Sequence, residues 1–472
     1  MITRRRLLVG SGVAAVVGAT YVGRKLSGSG GDVVAGHSRA RAIPTETVPP
    51  ASADVVVIGG GLVGSAIAYY LAKQGISVAL CEKGAIGCEA SGRSQGVVAG
   101  IGLSPVKLPL VQQSQQLWSG LNREIQIETG YRQVGATFGF RDPAELAYWQ
   151  GWLDEVRAFM PGARVLSVSE ANAKLPATQP WLGAYYDPNA GGVEPTLAAP
   201  ALAEAAQKLG AHVVAPCAVR GVEMQAGRIS HAVTESGAIR TNAVVLAGGA
   251  WSTLFAQSIG VKFPSLSIFS TVMKVTGVVG GPTGVFGAPE AGGRLGLDGL
   301  YTLGTEKGRI AITPAVLAQL WDFRQFILSP PWDVQPHLGE YFFRQLWKGS
   351  HWKLDGVSPF ERNRILQPSI NTDVTRQVVS GTKAEFSAFA NMRIVETWGG
   401  AISTTPDNMP VISAIEAVPG LFLASGFSFG MTMAPAAGQA MADLINARTP
   451  AFDLHPYRHG RFTDGSKLTF VE

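Results

Sequence analysis

A glycine-rich turn between two apolar runs constrains the fold of this chain more than any other feature. Residues 54–58 are Asp-Val-Val-Val-Ile, and such a β-branched run is typical of a strand buried on both faces of a parallel sheet. Residues 62–74 have helical periodicity and end at a glycine, and residues 76–80 form a second short apolar run. The turn after the first strand has the pattern G-x-G-x-x-G, at Gly59, Gly61 and Gly64. The segment therefore predicts a βαβ unit that binds a dinucleotide.

Each residue of this turn has a separate physical role in such a unit. Gly59 permits the tight turn, Gly61 lets the backbone approach a pyrophosphate, and Gly64 lets the helix pack on the strand. The N–H groups at the start of the helix face the phosphate charge. Glu82 ends the second strand, 18 residues after Gly64, where its carboxylate can accept hydrogen bonds from ribose hydroxyls.

The composition is that of a large α/β enzyme. The chain has 472 residues, of which 46% are hydrophobic, 15% are charged and 58 are glycine, enough for two domains with sizeable cores. The net charge of +5 is mild, and no basic face with interleaved aromatic residues indicates a nucleic acid partner. The three cysteines (Cys81, Cys88 and Cys217) are scattered, which indicates neither a disulfide framework nor a metal site.

The first 25 residues resemble an export signal. Arg4 and Arg5 precede an apolar run over residues 7–22, and the arginine pair resembles a twin-arginine signal, a route that carries folded proteins. No small-x-small cleavage site follows closely, so we expect a retained anchor in the bacterial inner membrane, with the catalytic domain on the periplasmic face. An ordinary secretory signal is the alternative. Residues 26–50, with Ser-Gly repeats, arginines and a Pro-Pro pair, are predicted to be a linker.

Two later segments combine a short apolar strand with a turn of small residues. Residues 243–246 are followed by Ala-Gly-Gly-Ala-Trp-Ser, which predicts a strand beside residues 54–58 whose end lets the backbone pass close to a cofactor. Residues 421–425 form another strand, and the Gly-Phe-Ser-Phe-Gly-Met-Thr sequence that follows leads into a helix ending near Ile445. The N-terminus of that helix can stabilise negative charge through its N–H groups.

Together these segments resemble the FAD-dependent D-amino-acid-oxidase superfamily, which includes the glycine and sarcosine oxidases. The resemblance covers nearly the whole chain after residue 50, and its motifs lie at 57–61 with Glu82, 90–93 (Ala-Ser-Gly-Arg), 245–252, 405–407 (Thr-Pro-Asp) and 430–438. Within the superfamily the chain is similar to the bacterial membrane-bound L-amino acid deaminases, in the segments 89–93, 217–223 and 245–249.

The resemblance implies an α/β fold in which a Rossmann-like FAD-binding domain is interleaved with a mixed-sheet substrate domain, after an N-terminal signal or anchor helix. The FAD-binding domain is predicted to comprise 51–100, 190–255 and 395–450, the substrate domain 101–189 and 256–394, and the C-terminal tail 451–472. The residues predicted to contact FAD are Gly59, Gly61, Leu62, Val63, Gly64, Glu82, Lys83, Ser91, Gly92, Arg93, Ser94, Gln95, Val219, Ala247, Gly248, Trp251, Gly430, Met431 and Thr432. Ser428 and Phe429 are predicted to line the active site.

One departure from the deaminases concerns the substrate carboxylate. Those enzymes hold it in a bidentate pair with an arginine just after an Ala-Pro sequence, and the resemblance puts Ala315 at that position. Either another arginine supplies this contact or the substrate lacks a free carboxylate. The candidate arginines are Arg309, Arg324, Arg362 and Arg364.

Aromatic and aliphatic residues crowd residues 315–352, where acids are few. The simpler prediction is a pair of substrate-domain helices packed on the core. The alternative is an inserted segment that contacts the membrane, since Trp and Tyr favour the bilayer interface.

The reaction implied by the resemblance is oxidative deamination of an amino acid. Hydride transfer to FAD gives an imino acid, water converts it to a keto acid and ammonia, and the electrons pass to a membrane quinone or cytochrome chain. A neutral amine and an aligned C–H bond suffice for this step, so no catalytic dyad is required. One alternative is a flavin enzyme for an N-methyl amine, a cyclic imino acid or a 2-hydroxy acid. Another is a non-catalytic flavin-binding subunit of a dehydrogenase complex.

Overall fold

The computed structural model describes residues 40–305, 307–312, 317, 319, 321–324, 326, 334–337 and 352–471, without the side chains of residues 291, 311, 336 and 337. The predicted anchor, the first part of the predicted linker, Ala315 and most of the aromatic segment 315–352 lie outside these residues. Within them, no helix has the length and apolar character needed to cross a bilayer.

The described helices and strands alternate along most of the chain. The α-helices are α1 (Leu62–Lys73), α2 (Leu108–Ile125), α3 (Pro143–Val156), α4 (Val168–Lys174), α5 (Pro195–Lys208), α6 (Ser252–Ser258), α7 (Pro359–Arg362), α8 (Thr372–Glu385) and α9 (Gly430–Ile445). The strands are β1 (Val55–Ile58), β2 (Val78–Cys81), β3 (Val97–Val98), β4 (Ala136–Phe140), β5 (Arg164–Leu166), β6 (Gly183–Asp187), β7 (Gly191–Gly192), β8 (His212–Val214), β9 (Val219–Gln225), β10 (Arg228–Thr234), β11 (Gly237–Arg240), β12 (Ala243–Leu246), β13 (Leu266–Thr276), β14 (Val285–Ala288), β15 (Ala291–Leu295), β16 (Tyr301–Gly304), β17 (Gly308–Ala311), β18 (Val334–His337), β19 (Arg393–Thr404), β20 (Val411–Ala414) and β21 (Leu421–Ser425).

A six-stranded sheet in the order β20-β21-β12-β1-β2-β8 carries the glycine-rich turn. β1 pairs in parallel with β2 on one side and with β12 on the other, which is the neighbour predicted from the sequence. All four residues of β1 are buried, as expected for a central strand covered on both faces. Only β20 runs antiparallel to its neighbour in this sheet.

A ten-stranded mixed sheet forms the second layer, in the order β18-β17-β13-β16-β15-β14-β4-β6-β5 with β19 also on β13. β13 and β19 pair antiparallel over their whole lengths. The domain boundary predicted at residue 395 therefore falls inside a strand, β19, that belongs to this sheet rather than to the six-stranded one. The mixed α/β architecture itself is confirmed, with a parallel nucleotide-binding sheet interleaved in sequence with a mixed sheet.

α1 and α9 pack closely enough to fix both N-termini beside the six-stranded sheet. A Cβ atom at Gly438 of α9 would lie 2.6 Å from the Cβ of Ala66 in α1, so only glycine permits this approach. The apolar faces of both helices are buried in one core with residues of β1 and β2. The two helix starts therefore open on the same side of the sheet.

Residues 40–50, the described part of the predicted linker, pack on the sheet margin. The Glu46 N–H donates to the Val213 carbonyl at 2.8 Å, and the Ala215 N–H donates to the Glu46 carbonyl at 3.1 Å. The Glu46 carboxylate lies 2.9 Å from Nδ1 of His212. This segment therefore extends the sheet by one pairing beyond β8.

Candidate active site

One cavity of about 830 Å³ lies between the two sheets. At what we call its glycine end, it is lined by the turn after β1 and by the carboxyl ends of β2 and β12. At what we call its aromatic end, it is lined by residues of the ten-stranded sheet and of α3. Its volume lies within the range of about 300–1,000 Å³ that is usual for ligand sites.

The three glycines of the turn perform the roles expected of them. Gly59 has φ of +108°, and a Cβ atom there would lie 2.6 Å from the Ala247 carbonyl oxygen. A Cβ atom at Gly64 would overlap the carbonyl oxygen of Gly59, so this glycine allows α1 to sit against β1. Gly61 instead faces the cavity, where the only atom near a Cβ would be Ser91 Oγ at 3.2 Å. The turn therefore leaves an open cradle beside the N-terminus of α1.

Ser91 closes one side of this cradle. Its hydroxyl oxygen accepts a hydrogen bond of 2.8 Å from the Leu62 N–H, the first residue of α1. Since no side chain at the N-cap position Gly61 caps the helix, a hydroxyl from a distant part of the chain satisfies this donor. The predicted loop 90–94 is thereby fixed against the glycine-rich turn.

Glu82 lies at the floor of the glycine end and is only 8% exposed. Its two carboxylate oxygens accept hydrogen bonds of 2.7 Å from the Gly60 and Gly84 N–H groups. Burial raises the pKa of this carboxyl, while the Lys83 charge and the two N–H donors act against that rise. Both oxygens are held in fixed positions beside the turn, which is the arrangement that ribose recognition requires.

Arg93 is a buried cation at the cavity wall, with 4% of its surface exposed. Its guanidinium donates to the carbonyl oxygens of Cys88 at 3.0 Å and Gly399 at 3.3 Å. Burial lowers the pKa of Arg93, and the nearby Glu89 charge acts in the opposite direction. A guanidinium bonded to neutral carbonyls beside an open cradle is suited to an anionic group.

The glycine end is covered by a ring of paired polar and aromatic groups around Glu89. Lys83 Nζ lies 2.6 Å from a Glu89 carboxylate oxygen and 4.6 Å from the centre of the Trp251 ring. The Trp251 indole N–H donates to the other Glu89 oxygen at 3.0 Å. Phe360 of α7 contacts Trp251 edge to face, with ring centres 6.0 Å apart. Residues about 270 positions apart in the chain thus meet over this end of the cavity.

Glu361 fixes α7 in this cover and gives it a pH dependence. Arg220 donates to the Glu361 carboxylate at 2.6 Å, and the Ser358 N–H donates at 2.6 Å. Burial by itself would raise the pKa of Glu361, but the hydrogen bonds from Arg220 and Ser358 outweigh it and lower the pKa to about 2. Because the pKa is depressed on folding, the carboxylate stabilises the fold fully above about pH 4.5 and progressively less as the pH falls towards 2.

We therefore expect Glu361→Gln to lower the free energy of unfolding by about 2–3 kcal/mol at pH 7 and by clearly less at pH 3. Urea titrations of both proteins at pH 7, 4 and 3, with the same excess of FAD, measure the difference. The matched control is Glu155→Gln, at an exposed position of α3. A Glu361→Gln deficit that stays constant from pH 7 to pH 3 would contradict this assignment.

The aromatic end of the cavity has predominantly apolar walls. They are formed by Ile101, Leu103, Phe138, Phe140, Trp149, Val285, Phe286, Phe427 and Phe429. Trp149 packs against Tyr185 with ring centres 5.4 Å apart, which fixes its ring beside Phe138. Among the described residues of this end, Glu145 and Lys307 carry charge. The first residues of α9, Gly430 to Thr432, lie between the two ends.

The structure brings nearly all the predicted site residues to this one cavity. Ser428, Phe429 and every predicted FAD contact line it except Gly64 and Gly92. Gly64 supports the contact between α1 and β1, as described above. Gly92 is correspondingly packed on backbone, since a Cβ atom there would overlap the Gly87 carbonyl oxygen. For these two glycines, close packing of the chain replaces the predicted contact with the cofactor.

None of the four candidate arginines is among the described residues that line the cavity. Arg309 donates to the Asn371 side chain at 2.9 Å, and Arg364 pairs with Glu235 at 2.5 Å. Arg324 stacks on the exposed ring of Trp321, and Arg362 is exposed. The described residues therefore supply no substrate clamp from this group.

Several lining residues were not identified from the sequence. Phe138 and Phe140 alternate along β4, and this period of two is a signal that could have placed both on one face. Trp149 and Phe360 lie on helices remote in sequence from the glycine-rich turn, and no local pattern marks them. Cys81 and Cys217 also line the glycine end, as free buried thiols.

The residues present fit an FAD molecule. Gly61 leaves a cradle that a side chain would fill, the N-terminus of α1 and the buried Arg93 provide positive charge for a pyrophosphate, and Glu82 offers two fixed acceptors for a ribose. The start of α9 lies where a flavin ring would extend towards the aromatic end.

Comparison with known proteins agrees with this geometry. Residues 54–444 match the DAO family, described as FAD dependent oxidoreductase. The structure of L-amino acid deaminase from Proteus myxofaciens, solved in complex with anthranilate, superposes with a TM-score of 0.87 and 34% identity, covering 91% of this chain and 98% of that one. Glycine oxidase from Geobacillus kaustophilus is 26% identical, over 86% of this chain and 96% of its own length.

A third relative is longer than this chain. Mitochondrial sarcosine dehydrogenase from Mus musculus is 26% identical over 88% of this chain, but the match spans only 42% of that protein. The superfamily resemblance and the FAD requirement predicted from the sequence are thereby confirmed. The glycine-rich turn, the buried Glu82 and Arg93, and the match over residues 54–444 show that this chain belongs to the DAO family of FAD dependent oxidoreductases.

Proposed function

We propose that the protein oxidises the amine-bearing carbon of an amino acid to give a keto acid and ammonia. The observation that carries this proposal is the continuity of the cavity, from the cofactor residues at the glycine end to the apolar walls at the aromatic end. A small organic substrate at the aromatic end would lie against the start of α9, beside the predicted flavin ring. The likeness to the Proteus myxofaciens L-amino acid deaminase, at 34% identity over nearly its whole length, supports the same activity.

The residues of the cavity account for binding and orientation rather than for proton transfer. FAD, when bound, supplies the acceptor for the two electrons and the hydrogen removed from the substrate carbon. Gly61, Glu82 and Arg93 would hold its phosphate and ribose groups. Phe138 and Phe429 exclude water and orient the substrate C–H bond, which is the main requirement for hydride transfer from a neutral amine. Water then adds to the released imino acid, and ammonia leaves.

A second candidate substrate class is favoured by the arginines. Since none of the four candidate clamps lines the described cavity, an N-methyl amine, a cyclic imino acid or a 2-hydroxy acid is the alternative substrate. The relatives that oxidise glycine or sarcosine by name are consistent with small amines. If Ala315 faces the flavin, Ala315→Arg would shift the preference towards free amino acids, because a guanidinium binds a carboxylate through two hydrogen bonds.

We further propose that the enzyme is anchored in the inner membrane and reduces a quinone rather than oxygen. The support is the twin-arginine-like sequence with its apolar run, and the aromatic segment 315–352. In that segment the described Trp321 is 75% exposed and Leu317 is 45% exposed. Exposed aromatic and aliphatic side chains of this kind suit a bilayer interface.

The test is a substrate screen on purified holoenzyme with an artificial electron acceptor. L-amino acids, D-amino acids, N-methyl glycines, L-proline and 2-hydroxy acids are compared, with ammonia and keto acid measured for each. We expect ammonia release from amino acids, together with a change in the flavin absorbance when anthranilate is added. Turnover of N-methyl amines alone would select the second candidate, and no turnover with any of them would reject the enzymatic proposal.

The acceptor is tested on membranes with the best substrate from that screen. A quinone analogue and oxygen are supplied separately, and quinone reduction and hydrogen peroxide are measured. Stoichiometric peroxide without quinone reduction would reject the proposed acceptor. Arg4→Lys combined with Arg5→Lys should prevent export, and the intact mass of the extracted protein reports whether the N-terminal segment is retained.

A further inference from the structure

The C-terminal tail is built into the wall of the active-site cavity through residues 407–409. Arg461 donates to the Asp407 carboxylate at 2.7 Å and to the Met409 carbonyl at 2.5 Å. The two charged side chains are only 5% and 7% exposed, so this is a buried ion pair. The Val471 N–H donates to the Asp407 carbonyl at 3.1 Å. The predicted tail 451–472 is therefore, in its described part, a packed element of the fold.

Asn408 connects this tail to the cavity. Its side-chain Nδ2 donates to the Val471 carbonyl at 2.9 Å. Its Oδ1 accepts from the Thr404 hydroxyl at 3.1 Å and from the Ser428 hydroxyl. Asn408 is only 1% exposed and has φ of +57°, a left-handed conformation that asparagine tolerates better than most residues. Both ends of one buried amide are thus occupied, one by the tail and one by Ser428.

Ser428 is part of the cavity wall. It lies between Phe427 and Phe429, and all three residues line the cavity immediately before the start of α9. The Ser428 hydroxyl also lies 3.0 Å from Thr404 Oγ1, at the end of β19. The position of the two aromatic rings therefore depends on a short polar chain that begins at the C-terminal tail.

We infer that Asn408 is a positioning residue for the oxidation, through which the C-terminal tail holds Ser428 and Phe429 against the substrate. The inference rests on the proposed function for its kinetic part only. An aspartate at this position would lose the donor to the Val471 carbonyl, and an alanine would lose both interactions. The cofactor contacts at Gly61, Glu82 and Arg93 are on other elements. Loss of Asn408 should therefore loosen the substrate wall while FAD stays bound.

The experiment compares Asn408→Ala, Asn408→Asp and a chain that ends at Ser466, which keeps the Arg461 ion pair. Hydrogen exchange of peptides covering residues 426–433 should be faster in all three holoproteins, and exchange over α1 should be unchanged. KM for the best substrate should rise about tenfold with little change in kcat, the factor expected for one or two lost hydrogen bonds. The FAD content per chain should stay at the wild-type level.

Two comparisons separate positioning from general destabilisation. Asn122→Ala removes an asparagine that binds Thr129 and lies away from the cavity, so it should lower stability without changing KM or exchange at 426–433. Asn408→Ala in the chain ending at Ser466 should be no worse than either change alone, since both break the same connection. Wild-type exchange at 426–433 in Asn408→Ala, or fully additive effects on exchange, would overturn the inference. If no substrate is oxidised, the proposed function fails, whereas the exchange results still decide whether Asn408 couples the tail to the cavity.

Discussion

Gly61→Val is expected to abolish FAD binding while the apoprotein still folds. A Cβ atom at Gly61 would meet only Ser91 Oγ at 3.2 Å, so the protein itself has room for a small side chain. The two further methyl groups of valine, however, would occupy the cradle at the start of α1, where the pyrophosphate must approach the backbone. The measurement is FAD fluorescence and absorbance after gel filtration of protein reconstituted with excess FAD, with circular dichroism as the check on folding.

The control for this experiment is Gly120→Ala. Gly120 lies within α2, and no other group lies within 4 Å of the position a Cβ would take. Alanine there should leave FAD binding unchanged and stabilise the helix by about 0.5–1 kcal/mol. Full FAD occupancy in Gly61→Val would refute the assignment of this turn as the pyrophosphate cradle.

Arg294→Met is expected to cost about 3–5 kcal/mol of stability, because it leaves a carboxylate buried without its partner. Arg294 is 2% exposed and donates to both oxygens of Glu194, at 2.9 and 3.1 Å. It also donates to the carbonyl of Gln95, a cavity-lining residue, at 2.8 Å. Since Arg294 lies on β15 of the ten-stranded sheet and Glu194 just before α5, this pair joins the two layers of the molecule.

A double-mutant cycle separates the ion pair from the loss of packing. Arg294→Met, Glu194→Met and the double variant are unfolded in urea with the same excess of FAD, because bound cofactor adds to apparent stability. The double variant should recover a large part of the loss, since no unpaired charge remains. The exposed pair Arg157–Asp154 is the matched control, and Arg157→Met should change stability by less than about 1 kcal/mol. A cost for Arg294→Met as small as that of the control would contradict the prediction.

The glycine end of the cavity could be predicted because its determinants are local. Gly59, Gly61, Gly64 and Glu82 lie within 24 residues, and their spacing alone specifies a strand, a turn and a helix start. The same spacing reveals nothing of which glycines face a ligand and which face the backbone. Gly92 was assigned to FAD from the resemblance, whereas its lack of a side chain serves the close approach of the Gly87 carbonyl.

The aromatic end and the long-range pairs could not be predicted because their partners are remote in sequence. Glu89 receives a hydrogen bond from the Leu366 N–H, and Asn408 receives one from Ser428 while donating to Val471. Nothing in the local sequence around Asn408 distinguishes it from an ordinary turn residue. Such contacts follow from how the two sheets are placed, and that placement depends on the whole core rather than on any one segment.

The segment at Glu46 has a consequence for how separate molecules behave towards one another. β8 is the last strand of the six-stranded sheet, and a bare strand edge offers unpaired N–H and C=O groups to any other chain. Glu46 occupies two of these groups, on Val213 and Ala215. A polypeptide shortened to begin after Glu46 would expose them and gain a surface for edge-to-edge aggregation, whereas one beginning at Ala40 would keep them covered. Residues that look like a spacer in the sequence thus help to keep neighbouring copies of the protein apart.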